Sequence, residues 1–193
     1  MNARLFLVMS VWICAACGAG RNNTRDVAGD YSLSERPGSG LIVVSTRLTT
    51  DCEQGETPPV AFHYEDDSYA HKRTGVIPVN DPFRKHDLQE PPGYLSIREV
   101  HAGAHRIDQL PPLATQLYAP FEVEAGKVVY LGELHVRVSN CGSPPAKVAV
   151  QVTDQWERDG ELFHQRMKNL RSEDVVKRLL TEFTLERTQT RHH

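Results

Sequence analysis

The chain has 193 residues, 39% of them hydrophobic and 24% charged, with a formal net charge of -3. That length suits one globular core better than two. A near-neutral balance with a pI near 6.3 lacks the clustered Lys and Arg excess that binding to nucleic acid requires, and a mean hydropathy of -0.45 excludes a polytopic membrane protein.

Arg4 precedes an apolar run from Leu5 to Ala16 interrupted only by Ser10, and Gly-rich polar sequence follows it. A charged n-region, an apolar h-region and a small-residue exit describe a signal peptide over residues 1–16. At about 1.5 Å per residue the run makes a helix of roughly 18 Å, short of the roughly 30 Å hydrocarbon core. Removing it takes Arg4 and shifts the net charge from -3 to -4.

The run ends in Cys14-Ala15-Ala16-Cys17-Gly18. This resembles the lipobox of bacterial lipoproteins, with Cys14 standing where the pattern usually has Leu. The resemblance implies that Cys17 becomes the acylated first residue, inserted in a lipid bilayer, and that Gly18 rather than Asp after it favours the outer membrane. Two acyl chains already hold a protein stably at a bilayer. The alternative is ordinary cleavage near Ala16 or Ala19, releasing a free secreted product.

With Cys14 removed and Cys17 acylated, Cys52 and Cys141 remain for an oxidising compartment. Either they form a disulfide or they stay as separate thiols, and the compartment favours the disulfide. Neither has a second Cys or His at metal-ligand spacing.

Residues 17–40 read as a lipid-anchored flexible tether, because Val27, Tyr31, Leu33 and Pro37 are the apolar side chains larger than Ala between residues 18 and 40. The domain proper is expected over residues 41–193. All twelve prolines lie between Pro37 and Pro145, four doublets and four singles, and this density forbids long helices there. Alternating or β-branched runs between them predict strands at residues 41–48, 61–64, 76–79, 94–100, 104–110, 127–138 and 147–153. Ala102-Gly103 reads as the turn of a hairpin. From Val128 to Val138 the alternation puts Val128, Tyr130, Gly132, Leu134, Val136 and Val138 on a buried face and Glu133, His135 and Arg137 on a wet one. Past the last proline, Ser172 as N-cap, Glu173, Asp174 and the stripe Val175, Val176, Leu179, Leu180, Phe183 predict a helix over about 172–185, and a weaker pattern suggests another over 161–169. The expected fold is therefore mostly β: an antiparallel β-sandwich of about seven strands with one or two C-terminal α-helices.

The order Gly93-Tyr94-Leu95-Ser96-Ile97, then residues 100–106 (VHAGAHR), then residues 121–132 (FEVEAGKVVYLG) resembles the small β-sandwich domain of uncharacterised bacterial lipoproteins, with similar sandwiches in transthyretin-like and carboxypeptidase-regulatory-like modules. The resemblance covers about residues 40–153. It implies a module that binds or braces rather than catalyses, with Gly103 and Gly126 at turns needing positive φ, Tyr130 buried and Gly132 at a close backbone approach. It implies no catalytic residue and no cofactor.

Among nine histidines, His101 and His105 have the His-x3-His spacing of helical zinc sites, with His135 as a conceivable third ligand of a metal-dependent enzyme. An Ala-Gly turn between strands does not align them as a helix would. Glu65-Asp66-Asp67 lacks the alternation and Gly of a calcium loop and reads as solvated. The mixed-charge stretch Asp81, Arg84, Lys85, His86, Asp87 offers a partner surface, since long loops carry function. Nucleophile-elbow, phosphate-loop and His-Glu-x-x-His motifs are absent. These readings converge on an exported binding or structural lipoprotein, or an accessory lipoprotein docking another envelope protein in a secretion machine.

Overall fold

The computed structural model describes residues 26–53, 57, 60–66, 74–79, 94–109, 117–141, 147–181 and 184–185. In chain order the strands are β1 (Ser39–Thr50), β2 (Ala61–Asp66), β3 (Thr74–Pro78), β4 (Tyr94–His101), β5 (Gly103–Gln109), β6 (Leu117–Val123), β7 (Val128–Ser139) and β8 (Lys147–Thr153). Helix α1 (Trp156–Arg166) follows, then the short strands β9 (Val175–Lys177) and β10 (Thr184–Leu185). One sheet runs β4-β1-β7-β8, with β9 also on β7; the other runs β10-β6-β5-β2-β3. The two pack as a β-sandwich, and the expected fold class holds.

The packing differs from a plain antiparallel sandwich. Strands β1 and β7, each of twelve residues, lie side by side in parallel at the centre of the first sheet, and β9 is also parallel to β7. Their first halves are covered on both faces, which is why residues 41–44 and 128–131 read as near-continuous apolar runs (LIVV, VVYL). On the inner face Ile42, Val44, Leu134 and Val136 meet Phe62, Ile107 and Ala119 of the second sheet. On the outer face Leu41, Val43, Leu95, Ile97, Val128 and Tyr130 meet Phe163 of α1 and Met167 and Leu170 just beyond it. The molecule is thus three layers, sheet on sheet on helix.

A bulge reverses the strand that looked most regular. Opposite Val43 and Val44 the register of β7 skips from Tyr130 to Gly132. Gly132 has φ +100°, and a Cβ there would come within 2.9 Å of Val152 Cγ1. An extra residue shifts side-chain phase by one. Val128 and Tyr130 therefore face the helix, while Leu134, Val136 and Val138 face the inter-sheet core. Glu133, expected in water, is 1% exposed.

Three further expectations are corrected. The turn at Ala102-Gly103 joins the two sheets instead of making a hairpin: β4 pairs with β1, β5 with β2 and β6, and Gly103 at φ +134° turns the corner. The 172–185 helix is replaced by a 3-10 turn (Ser172–Asp174) and strand β9, after which Arg178 and Leu180 N–H groups donate to the Tyr130 and Leu131 carbonyls at 3.0 Å. The free edge of β7 pairs the β-branched Val175 and Val176, and this tertiary pairing outweighs a helical stripe whose Leu179 ends up exposed. The genuine helix is the weaker pattern, starting earlier, at Trp156, whose N–H donates to Asp154 Oδ1 at 3.0 Å.

Residues 26–40, which the composition assigned to a flexible tether, are packed into the fold. Val27, Tyr31 and Leu33 pack beneath α1, and the Val27 N–H donates to the Ile97 carbonyl at 3.0 Å. Asp26 accepts from the Ile97 N–H at 2.9 Å and pairs with the fully buried Arg98 at 2.9 Å. From Asp26 onward the chain belongs to the fold. Residues 1–25, including the signal segment and Cys17, lie outside the described residues.

Candidate functional site

Helix α1 covers only part of the outer face of the first sheet. Its first turn is fixed by a buried polar cluster. Asp159, fully buried, accepts from the Ser45 hydroxyl at 2.5 Å and the Tyr130 hydroxyl at 2.7 Å through Oδ2, and from Arg158 through Oδ1 at 2.7 and 2.8 Å. Arg158 also pairs with Glu133 at 2.7 Å, and Tyr130 receives the Gln155 N–H at 3.1 Å. Burial opposes the Arg158 charge, but its hydrogen bonds to Asp159 and Glu133 hold its pKa above the usual value. Burial first, then the hydrogen bond to Asp159, raises the Tyr130 phenol. Donors and acceptors satisfy one another away from solvent, so the cluster clamps helix to sheet.

Beyond that clamp the same face is open. Its side chains form cross-strand rows, Arg47 beside His135 beside Gln151, then Thr49 beside Arg137 beside Ala149. A hollow of about 450 Å³ is lined by Thr49, Thr50, Asp51, His135, Arg137 and residues 149–151. The Thr49 hydroxyl and His135 Nε2 are 3.1 Å apart, and Arg137 lies 3.9 Å from Asp51 with both exposed. Two arginines and an imidazole against one carboxylate present donors to an acidic or carbonyl-rich partner. Among the described residues no carboxylate touches His135, so the Thr49–His135 contact lacks the orienting group of a nucleophile–base pair. The hollow's rim is tied by the Cys52–Cys141 disulfide, Cα atoms 5.7 Å apart, just past the ends of β1 and β7.

The structure does not bring the three candidate histidines together. His105 is buried between the sheets, stacked on Phe121 with ring centroids 5.1 Å apart, and its Nε2 donates to the His101 carbonyl at 2.7 Å. His135 lies on the outer face of the other sheet. Among the described residues no group of three His, Cys, Asp or Glu is placed to hold a metal ion. Asp66 is buried and Glu65 pairs with Arg106 at 2.5 Å, while Asp67 lies outside the described residues, as does the 80–93 stretch with Asp81, Arg84, Lys85, His86 and Asp87.

Sequence reasoning placed His135 and Arg137 on a polar face but missed Arg47 and Thr49 beside them. The signal available was the outward phase of residues 45, 47 and 49 in the first strand, hidden because the preceding four residues are apolar on both faces. Comparison with protein-family models and with curated proteins finds no match for the chain.

Proposed function

We propose that this chain is an exported bacterial lipoprotein, held in the cell envelope by acylated Cys17, whose β-sandwich is a non-catalytic binding module of the periplasm or cell surface, with the outer membrane as its site. The observation that carries the reading is the Cys52–Cys141 disulfide, which joins segments 89 residues apart and belongs to an oxidising compartment outside the cytosol. It agrees with the lipobox-like end of the apolar run at Cys17. The open face bearing Arg47, His135 and Arg137 supports binding as the task, and an acidic surface of another envelope protein fits it. That face equally supports the role of accessory subunit in an envelope-spanning machine.

Metabolic labelling with a palmitate analogue tests the anchor: the full chain takes up label and Cys17→Ala does not. Label retained by Cys17→Ala, or none on the parent, refutes the assignment.

A further inference from the structure

A sandwich has sheet edges, and each unpaired edge is a row of hydrogen-bonding groups that must be hidden or used. Here the edges differ. Strand β4 is closed by Asp26 and Val27, which take up the Ile97 N–H and carbonyl. Strands β9 and β10 have three and two residues. Strand β3 has five residues and ends at Pro78. Strand β8 is the exception: seven residues, Lys147-Val-Ala-Val-Gln-Val-Thr153, with no proline, no bulge in its register and one charge, at its first position. Among the described residues it pairs only with β7. Every second residue of such a strand aims its N–H and C=O outward. Its inward side chains, Val148, Val150 and Val152, are half-buried at the margin of the inter-sheet core and would be covered by one more strand.

We infer that β8 pairs antiparallel with β8 of a second copy of this chain, about a two-fold axis through Val150. The occupant is fixed by self-complementarity, the requirement of a two-fold interface. Centred on Val150, the strand lays Val148 on Val152, Val150 on itself, Ala149 on Gln151 and Lys147 on Thr153. The three valines meet valines, and no like charges oppose each other. The nearest basic strands, β7 and its copy, are three strand spacings apart, about 14 Å, beyond the roughly 10 Å screening length at moderate salt. Pairing would fuse the two first sheets and set their open faces, with Arg47, His135 and Arg137, side by side as one longer basic surface. The inference does not depend on lipid anchoring.

Ala149 and Gln151 are exposed, and because they sit beside Arg137 and His135 of β7, charge variants of both signs are needed to separate an effect on the interface from one on the subunit. Two differently tagged copies of the full chain, co-expressed and purified through one tag, should recover the other. The double variant Ala149→Lys/Gln151→Lys places like charges opposite each other and should lower self-affinity by about tenfold or more. The double variant Ala149→Glu/Gln151→Glu should do the same, and mixing the two should restore pairing, with circular dichroism showing that each variant alone is folded. Parent copies that fail to co-purify overturn the inference, whether β8 is then solvated or serves an extended segment of another protein. Pairing unaffected by either charge variant, or not restored on mixing them, overturns it as well.

Discussion

Substituting Asp159→Asn tests whether the buried cluster clamps α1 to the sheet. The change keeps shape and removes a charge at a fully buried position. Four donors converge on this carboxylate, two hydroxyls on Oδ2 and two Arg158 nitrogens on Oδ1. An amide group must turn its own N–H donors toward one of those pairs. Facing Arg158, it abandons two charge-assisted bonds and leaves the guanidinium to Glu133 and the Ser45 hydroxyl; facing Ser45 and Tyr130, it forces hydroxyls to accept, and these already accept from Arg158 and Gln155. Breaking one side of a buried ion pair costs about 3–5 kcal/mol, which at about 2–4 °C per kcal/mol for a chain of this size lowers the melting midpoint by roughly 6–20 °C. Ser45→Ala, which removes one donor of the four, should cost about 1–3 kcal/mol. Urea unfolding followed by circular dichroism at neutral pH measures both. An Asp159→Asn unfolding free energy within about 1 kcal/mol of the parent, with an unchanged denaturant slope, would mean that apolar packing under Phe163 and Met167 alone holds the helix.

Two further predictions concern stability. Replacing Cys52 and Cys141 together by Ser should cost about 4–5 kcal/mol by loop-closure entropy over 89 residues, read as a lower denaturation midpoint; a loss below about 1 kcal/mol would show that the ends of β1 and β7 are already held by pairing. Among the described residues the buried Tyr64 hydroxyl has no hydrogen-bond partner, and burial chiefly, opposed by the Arg98 charge and reinforced by Asp26, pushes its pKa up to about 12. The unfolded chain therefore gives up this proton first, near pH 10, and stability falls between pH 10 and 12. Tyr64→Phe should be neutral or slightly stabilising at pH 7 and should lessen that alkaline loss; an equal loss in both proteins would mean that Tyr64 does not report it.

The strands were legible where one physical rule governs. In β8 and β2 the period of two matches a sheet with a single buried face, and strand β8 falls at its expected residues, 147–153. Strand β6 (Leu117–Val123) was missed because Pro120 reads as a breaker, yet among the described residues β10 pairs only with residues 117 and 118 and asks no N–H of Pro120 on that flank. The helix at 172–185 failed for the opposite reason: its local signal was good, but the edge of β7 offered Val175 and Val176 a partner that the sequence alone does not display. Glu133 was misplaced because alternation was carried through Gly132, where the bulge changes its phase. The site was readable only in part, since Arg47, Thr49, His135 and Arg137 become neighbours through the parallel pairing of strands separated by almost half the chain.

The N-terminal segment shows how a composition argument and a packing argument reach different lengths for the same piece of chain. Polar, Gly-rich sequence described a tether to residue 40, but its few apolar side chains, Val27, Tyr31 and Leu33, suffice to dock it beneath α1. On the proposed anchoring, eight residues lie between Cys17 and Asp26, and their nine Cα steps span at most about 30 Å. The attachment point is then set by the edge of β4, where Asp26 holds the Ile97 N–H and the Arg98 guanidinium. Ile97 is level with Val43 in β1, and the hollow begins at Thr49, six residues and about 20 Å further along that strand. The proposed anchor would then enter at one end of the sheet and the proposed partner would meet the open basic face toward the other, so that the two contacts use different parts of the fold.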